Sequence, residues 1–112
     1  MNTNTLNDSK EGVVKRLLET LCATDGQQRK EARRELVALG DETLKYINDY
    51  LEHPRHICRW EILRVIKEIA DLKSIPVFLD ALDDDKSDIR WIAAEGLIRM
   101  GKYSVRPLLK LI

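Results

Sequence analysis

Aromatic residues, glycine and proline are all scarce in this chain. Aromatic side chains make up 5% of the 112 residues, and there are 5 glycines and 3 prolines. A β-sandwich or β-barrel needs many β-branched strands and frequent turns, which this composition does not supply. With 44% hydrophobic and 34% charged residues, the composition is typical of one small helical domain with its own core.

The chain also lacks an excess of either charge and any long apolar run. Nineteen Lys and Arg residues balance nineteen Asp and Glu residues, so nothing draws the whole chain to nucleic acid or to an anionic membrane. No apolar run is long enough to cross a bilayer, and the polar start MNTNTLNDSK has no signal-peptide core. We therefore expect a cytoplasmic protein that has no membrane contact and no cofactor.

Cysteine is nearly absent as well. Cys22 and Cys58 are the two cysteines, and both lie within helical patterns. Two such residues do not resemble the disulfide framework of a small secreted protein. We expect free thiols in a reducing compartment.

What the sequence does contain is helical periodicity. Apolar residues recur at the spacing of an amphipathic helix in seven segments. Gly40 and Gly101 suit the left-handed position that ends a helix. Pro54 suits a first helical turn, and Ser87 suits an N-cap. We predict a disordered tail at 1–8, an N-terminal helix at 9–23 and three helical hairpins at 27–51, 54–82 and 87–112.

The hairpins repeat one another. Arg59-Trp60 returns as Arg90-Trp91 after 31 residues, because 90 − 59 = 31. The first and third hairpins align with a shift of 61 residues, which places Ala32 on Ala93 and Gly40 on Gly101. A hairpin of this kind cannot bury its own apolar face, so neighbouring hairpins must stack into a continuous core. The period therefore predicts an all-α repeat protein.

Residues 69–101, IADLKSIPVFLDALDDDKSDIRWIAAEGLIRMG, carry a family resemblance. An Ile-Pro before an apolar helix, an acidic loop, an Ile-Arg and an alanine-containing helix that ends in Gly resemble the HEAT-like repeat of phycobiliprotein lyase subunits. The resemblance implies a right-handed α-solenoid of about three HEAT-like hairpins plus the N-terminal helix. It specifies the fold better than the function, since one fold hosts many functions.

The repeated Arg-Trp pair permits two interpretations. Arg59 and Arg90 could bind an anion, or each could satisfy carbonyls and carboxylates in a loop between repeats. Trp60 and Trp91 could stack on a ligand, or they could cover the seam between neighbouring repeats. Because the pair recurs at the start of a first helix, we favour the structural role between repeats for these residues.

Candidate metal and catalytic sites are weak. His53 and His56 could share a helix face and bind a transition metal, but Cys22 is distant in sequence and Cys58 is expected to be a small buried side chain. The acidic triplet 83–85 lacks the glycine and the terminal glutamate of an EF-hand loop. No nucleophile elbow or phosphate loop is present. We therefore predict neither a metal site nor catalytic residues.

A basic patch lies on the first helix of the first hairpin. It could contact phosphate, but glutamates interleave with the basic residues, which favours ion pairs on a solvated face. Nucleic acid is therefore the disfavoured partner. The basic residues of the patch are Arg29, Lys30, Arg33 and Arg34.

In the fold that the resemblance implies, second helices line the concave surface. Their outward positions form ladders of residues across the repeats, either as an ordinary solvated surface or as a face that binds a partner. Tyrosine is favoured on binding surfaces because its ring is apolar and its tip is polar. The predicted partner-binding residues are Tyr46, Asn48, Asp49, Tyr50, Asp80 and Lys110.

The last residues, PLLKLI, continue an apolar pattern, although a solenoid normally needs a polar end. We expect either a longer array or self-association through the C-terminal helix. The favoured function is a non-catalytic scaffold that binds another protein through its second-helix face. The alternatives are a subunit of a bilin lyase-like enzyme, which rests on the resemblance, and a DNA-contacting helical-repeat protein.

Overall fold

The computed structural model describes residues 9–101, and within this range every regular element is helical. The predicted tail at 1–8, the seventh helix, Lys110 and the C-terminal self-association surface lie outside the described residues. None of the helices in the described range is long and apolar enough to cross a membrane. The α-helices are α1 (Lys10–Thr20), α2 (Gly26–Leu39), α3 (Asp41–Leu44), α4 (His56–Ile69), α5 (Ile75–Ala81) and α6 (Ser87–Met100), and Asn48–Tyr50 and Leu72–Ser74 are short 3₁₀ helices.

The longer helices stack in chain order. α2 packs against α1 on one side and α4 on the other, α4 packs against α6, and α5 packs against α6. Their apolar stripes meet in one core, because each helix buries the residues that its 3.6-residue period places on one side. The fully buried large side chains at its centre are Phe78, Leu18, Leu21, Leu36, Ile62, Ile66 and Ile89.

Local hydrogen bonds and backbone angles mark several helix ends. Gly40 and Gly101 have positive φ angles of 55° and 60°, which glycine adopts readily, but their ψ angles of −117° and −135° differ from the left-handed position that was predicted. Asp25 accepts a hydrogen bond from the Gln27 backbone N–H at 2.9 Å and caps the start of α2. The buried Thr43 hydroxyl donates to the Leu36 carbonyl at 2.6 Å, as a second donor beside the Gly40 backbone N–H at 3.3 Å.

One predicted helix and two predicted helix starts are wrong in detail. The second helix of the first hairpin is not continuous, because α3 ends at Leu44 and only the 3₁₀ turn Asn48–Tyr50 follows. Asn and Asp bond to nearby backbone and are poor residues for a helix interior, which accounts for the break. Pro54 lies before α4 rather than in its first turn. Ser87 is the first residue of α6, and its N-cap is Lys86, without a side-chain cap.

Gly96 allows α5 and α6 to come close together. An added Cβ at this position would lie 2.4 Å from Cε1 of the Phe78 ring, far closer than real Cβ contacts. Phe78 is fully buried, so its ring has little space into which it can move. The glycine is therefore a packing requirement of this seam.

We predict that Gly96→Ala lowers the free energy of unfolding by about 1–3 kcal/mol, the typical cost of overpacking a core. Gly26→Ala is the matched control, since its Cβ would meet only the Arg29 Nη2 atom, at 3.5 Å. Urea denaturation followed by circular dichroism measures both. Equal stability of the two variants would contradict this assignment of Gly96.

Candidate functional site

The first helices of the three hairpins are α2, α4 and α6, and the fourth residue of each is an arginine. Each guanidinium reaches back to the loop before its own helix. Nη1 of Arg29 donates to the Ala23 carbonyl at 2.8 Å, Nη1 of Arg59 donates to the His53 carbonyl at 2.7 Å, and Nη1 of Arg90 donates to the Asp84 carbonyl at 2.8 Å. The structure therefore places Arg59 and Arg90 at the loops that join repeats, and Arg29 fills the same position in the first hairpin.

Arg59 also binds a carboxylate of the next loop. Its Nε and Nη2 donate to the two oxygens of Asp84 at 2.9 and 3.1 Å, in the bidentate geometry that fits a guanidinium to a carboxylate. Burial alone would raise the pKa of Asp84, but the hydrogen bonds from Arg59 and from the Lys86 backbone N–H hold that pKa below its usual value. The pair closes the acidic loop onto α4.

The basic patch of α2 is partly used inside the protein. Nε of Arg29 donates to Oε2 of Glu61 at 3.1 Å, and Nη1 of Arg33 donates to Oε1 of the same carboxylate at 2.6 Å. Glu61 is only 3% exposed, and a buried carboxylate is stable only when it is paired in this way. Lys30 and Arg34 remain exposed. Only half of the predicted patch is therefore available to a phosphate backbone.

The two tryptophans have different surroundings, although the sequence repeats them. Trp60 is partly buried against the core, and the Arg64 guanidinium lies over its ring at 5.2 Å from the centroid. Trp91 is 69% exposed, and its Nε1 donates to Oε2 of Glu95 at 3.1 Å. The prediction that Trp91 covers a seam is wrong within the described range, because its position on α6 points to solvent.

A groove lies between the Asn48–Tyr50 turn, α4 and α5, on the second-helix side of the molecule. It has a volume of about 300 Å³. Its apolar wall comes from Leu51, Leu63, Val77 and Ala81. The mutually neutralised Arg59–Asp84 pair belongs to its lining. The groove is therefore a concave surface with an apolar wall.

The rim of the groove is acidic. Glu52 and Asp80 both line it and both are exposed. Neither carboxylate forms an ion pair within residues 9–101, in contrast to Asp84. Their negative charges are thus available to a positively charged group at the groove.

The structure brings together some of the predicted partner-binding residues and separates others. Asn48 and Asp80 both line the groove. Tyr46 and Tyr50 are half-buried and pack against the core. Burial and, to a smaller extent, the charge of Glu19 raise the pKa of Tyr50. Asp49 and Tyr50 both lie near enough to Lys15 to raise the pKa of that lysine electrostatically. Asp49 and Tyr50 therefore belong to the side next to α1.

The prediction of free thiols is wrong, because Cys22 and Cys58 form a disulfide. Cys22 follows the end of α1 and Cys58 lies in the first turn of α4, and packing brings their Cα atoms to 4.8 Å. His53 lies beside them, so that its ring nitrogen and the two sulfurs are within 4.8 Å of one another. The sequence separation of 36 residues meant that the sequence pattern did not reveal this neighbourhood.

His56 takes no part in this cluster. Its Nε2 lies 3.2 Å from Oδ2 of Asp88 on the surface. The alternative in which His53 and His56 share a metal is therefore not supported, and His53 lies with the cysteines instead. Cys22 is distant from His53 in sequence but lies beside it in three dimensions.

An exposed apolar patch on α6 was not predicted from the sequence. Trp91 and Ile98, 69% and 76% exposed, lie on one side of α6 beside Lys67, Glu95 and Arg99. The spacing of seven residues between them was the available signal, since it places both on one helix face. The patch is shallow, and Lys67 lies 3.4 Å from Oε1 of Glu95 across it.

We predict that Asp84→Asn lowers the free energy of unfolding at pH 7 by about 1–3 kcal/mol, because Arg59 loses a charged acceptor in a mostly buried position. Asp85→Asn is the control, since that carboxylate is exposed and lies 3.6 Å from Nη2 of Arg59. The lowered pKa of Asp84 means that its contribution is complete above the usual value of about 3.9 and is lost as the pH falls through the folded-state pKa.

The difference in stability between wild type and Asp84→Asn should therefore shrink in acid. Denaturation curves at several values between neutral pH and about pH 2 measure it. A difference that stays constant over this range, or an equal loss in Asp85→Asn, would show that the pair does not hold the loop.

Comparison with known proteins completes the description. A family model for HEAT repeats matches residues 14–98, about three-quarters of the chain. No curated protein matches the sequence. The matched range includes every helix that contributes to the groove and both cysteines. The stacked helical hairpins and this match together show that the chain belongs to the HEAT-repeat family.

Proposed function

We propose that this chain is a non-catalytic protein-interaction module whose groove on the second-helix face binds a segment of another protein. The segment should carry a basic side chain next to an apolar one. HEAT repeats commonly mediate protein–protein interaction, which supports the general class. The architecture that we propose is a right-handed solenoid of about three hairpins.

The acidic groove is the observation that carries this proposal. Leu51, Leu63 and Val77 offer an apolar surface, while Glu52 and Asp80 offer two carboxylates without ion-pair partners in the described range. Apolar contact supplies affinity, and complementary charge supplies orientation and specificity. Asn48 adds an amide that can both donate and accept a hydrogen bond. A basic and apolar peptide segment is complementary to this combination.

The DNA-contacting alternative has less support. It requires a strongly basic surface, yet Arg29 and Arg33 bind the buried Glu61 and the groove itself is acidic. An electrophoretic shift at low salt that disappears after charge reversal of Lys30 and Arg34 would favour DNA binding over the proposal.

The bilin lyase-like alternative rests on the sequence resemblance of residues 69–101. It would place a tetrapyrrole against the apolar wall of the groove, so an absorbance titration of the protein with a bilin tests it. Saturable binding that is lost on substitution of the groove residues would favour this alternative.

We also propose a cytoplasmic location, on the ground of the balanced charge. A stable disulfide is more typical of oxidising compartments. In a reducing compartment the Cys22–Cys58 bond would instead be a reversible one.

The groove can be tested with a displayed library of random peptides selected on the immobilised protein. We expect the selected sequences to be enriched in Lys or Arg beside Leu or Ile. A synthetic peptide from this set should bind at least about tenfold more weakly to the double variant Glu52→Gln/Asp80→Asn, since about 1.4 kcal/mol of charge attraction corresponds to a factor of ten. Isothermal titration calorimetry measures both affinities.

Two controls separate the groove from other surfaces. Glu68→Gln removes an exposed carboxylate of α4 that does not line the groove, and it should leave the affinity unchanged. Trp91→Ala alters the exposed patch on α6 and should also have no effect. Selection of acidic peptides, or wild-type affinity in the double variant, would overturn the groove assignment. Loss of affinity only in Trp91→Ala would show that the peptide binds the α6 patch instead of the groove.

A further inference from the structure

The neighbourhood of Cys22, His53 and Cys58 contains three metal-binding side chains from three different segments. Cys22 follows α1, His53 lies in the loop before α4, and Cys58 lies in the first turn of α4. Their two sulfurs and a ring nitrogen all lie within 4.8 Å of one another. We propose that, when the disulfide is reduced, Cys22, His53 and Cys58 bind a zinc ion, and that formation of the disulfide releases it.

The donor set fits zinc chemistry. Two thiolates and one imidazole form the three-ligand combination of an open tetrahedral zinc site, whose fourth position takes a water molecule. Bond lengths of about 2.3 Å to sulfur and about 2.0 Å to nitrogen place tetrahedral ligand atoms about 3.5–3.8 Å apart. The present maximum of 4.8 Å requires shifts of about 1 Å, which side-chain rotation can supply once the sulfurs separate.

A local hydrogen bond orients the His53 ring. Its Nδ1 accepts from the Arg55 backbone N–H at 3.1 Å. An imidazole nitrogen is one of the usual ligands of zinc.

The surrounding hydrogen bonds hold the three segments in place. Nη1 of Arg59 donates to the His53 carbonyl at 2.7 Å, and Nη1 of Arg55 donates to the Cys22 carbonyl at 2.7 Å. Bonds of this kind orient metal ligands and are part of what gives a metal site its affinity. Cys58 lies in the first turn of α4, so the helix fixes the position of its sulfur.

Access differs among the three ligands. Cys58 is fully buried, while Cys22 and His53 are half-buried. A reductant or a metal ion can therefore approach from the Cys22 side, and Cys58 remains shielded. Two bound thiolates neutralise the charge of Zn²⁺, so the occupied site adds no net charge to this partly buried region.

The redox step balances with a low-molecular-weight thiol as the reductant. Two thiols transfer two electrons and two protons to the Cys22–Cys58 bond, which opens to two protein thiols while the reductant becomes its own disulfide. Zn²⁺ then displaces the two thiol protons and forms two zinc–sulfur bonds. In the reverse direction a low-molecular-weight disulfide accepts two electrons from the two thiolates, the protein disulfide forms, and Zn²⁺ leaves.

The test uses the full chain, reduced and freed of reductant under anaerobic conditions, or fully oxidised. Zinc chloride is titrated against a chromophoric chelator, and cobalt chloride gives a spectroscopic signature of thiolate ligation. We expect one ion per reduced chain, tighter binding at higher pH because two protons are released, and no competition with the chelator by the oxidised chain.

The variants identify the ligands. His53→Ala removes the imidazole from a half-buried loop position and should weaken zinc binding by at least about tenfold, comparable to the effect of losing even an indirect partner of a metal ligand. His56→Ala is the matched control, because His56 lies three residues away and interacts with Asp88 rather than with the cysteines. Cys22→Ser should abolish the cobalt–thiolate signature. Circular dichroism verifies that each variant, and the reduced wild type, is folded.

Three results would overturn the proposal. The first is a folded, reduced wild type that does not compete with the chelator. The second is equal zinc affinity in the oxidised and reduced chains. The third is wild-type affinity in His53→Ala, or an equal loss in His56→Ala, either of which would place any bound ion at other residues.

Discussion

Arg59 connects two loops of this molecule to α4. Nη1 of its guanidinium donates to the carbonyls of His53 and Pro54, and Nε and Nη2 donate to the carboxylate of Asp84. A planar group with five donors can make all these bonds at once, which a lysine could not do. The loop before α4 and the acidic loop before α6 are thereby held against the same helix.

Both candidate sites depend on this arrangement. The groove includes Arg59 and Asp84 in its lining, so the ion pair forms part of the surface that a partner would meet. On the opposite side of the same guanidinium, the bond to the His53 carbonyl holds the loop that brings this histidine to the cysteines. Since the pair neutralises itself, the charge that remains in the groove comes from Glu52 and Asp80.

The periodic features were predictable from the sequence. The spacing of apolar residues identifies the longer helices, and the lower limit of α2 and the ends of α2 and α6 agree closely with the prediction. Gly40 and Gly101 end these helices with a positive φ, but not in the left-handed conformation that was predicted. The shift of 61 residues aligns Arg29 with Arg90, and the shift of 31 residues aligns Arg59 with Arg90, although the first hairpin has a lysine in place of the tryptophan. The least accurate prediction was the helix after Gly40. The α-helix covers only Asp41–Leu44, and Asn48 and Asp49, which are poor residues for a helix interior, lie in a 3₁₀ turn.

Local sequence thus determined the helical class, the repeat and the positions that turn inward, since all three depend on interactions over a few residues along one helix. Tertiary structure alone decided which distant residues meet. It joined Cys22 to Cys58, placed His53 beside them, assigned Arg29 and Arg33 to the buried Glu61, and left Trp91 exposed while Trp60 is partly covered. These outcomes depend on how one helix packs against the next, which no repeat period specifies.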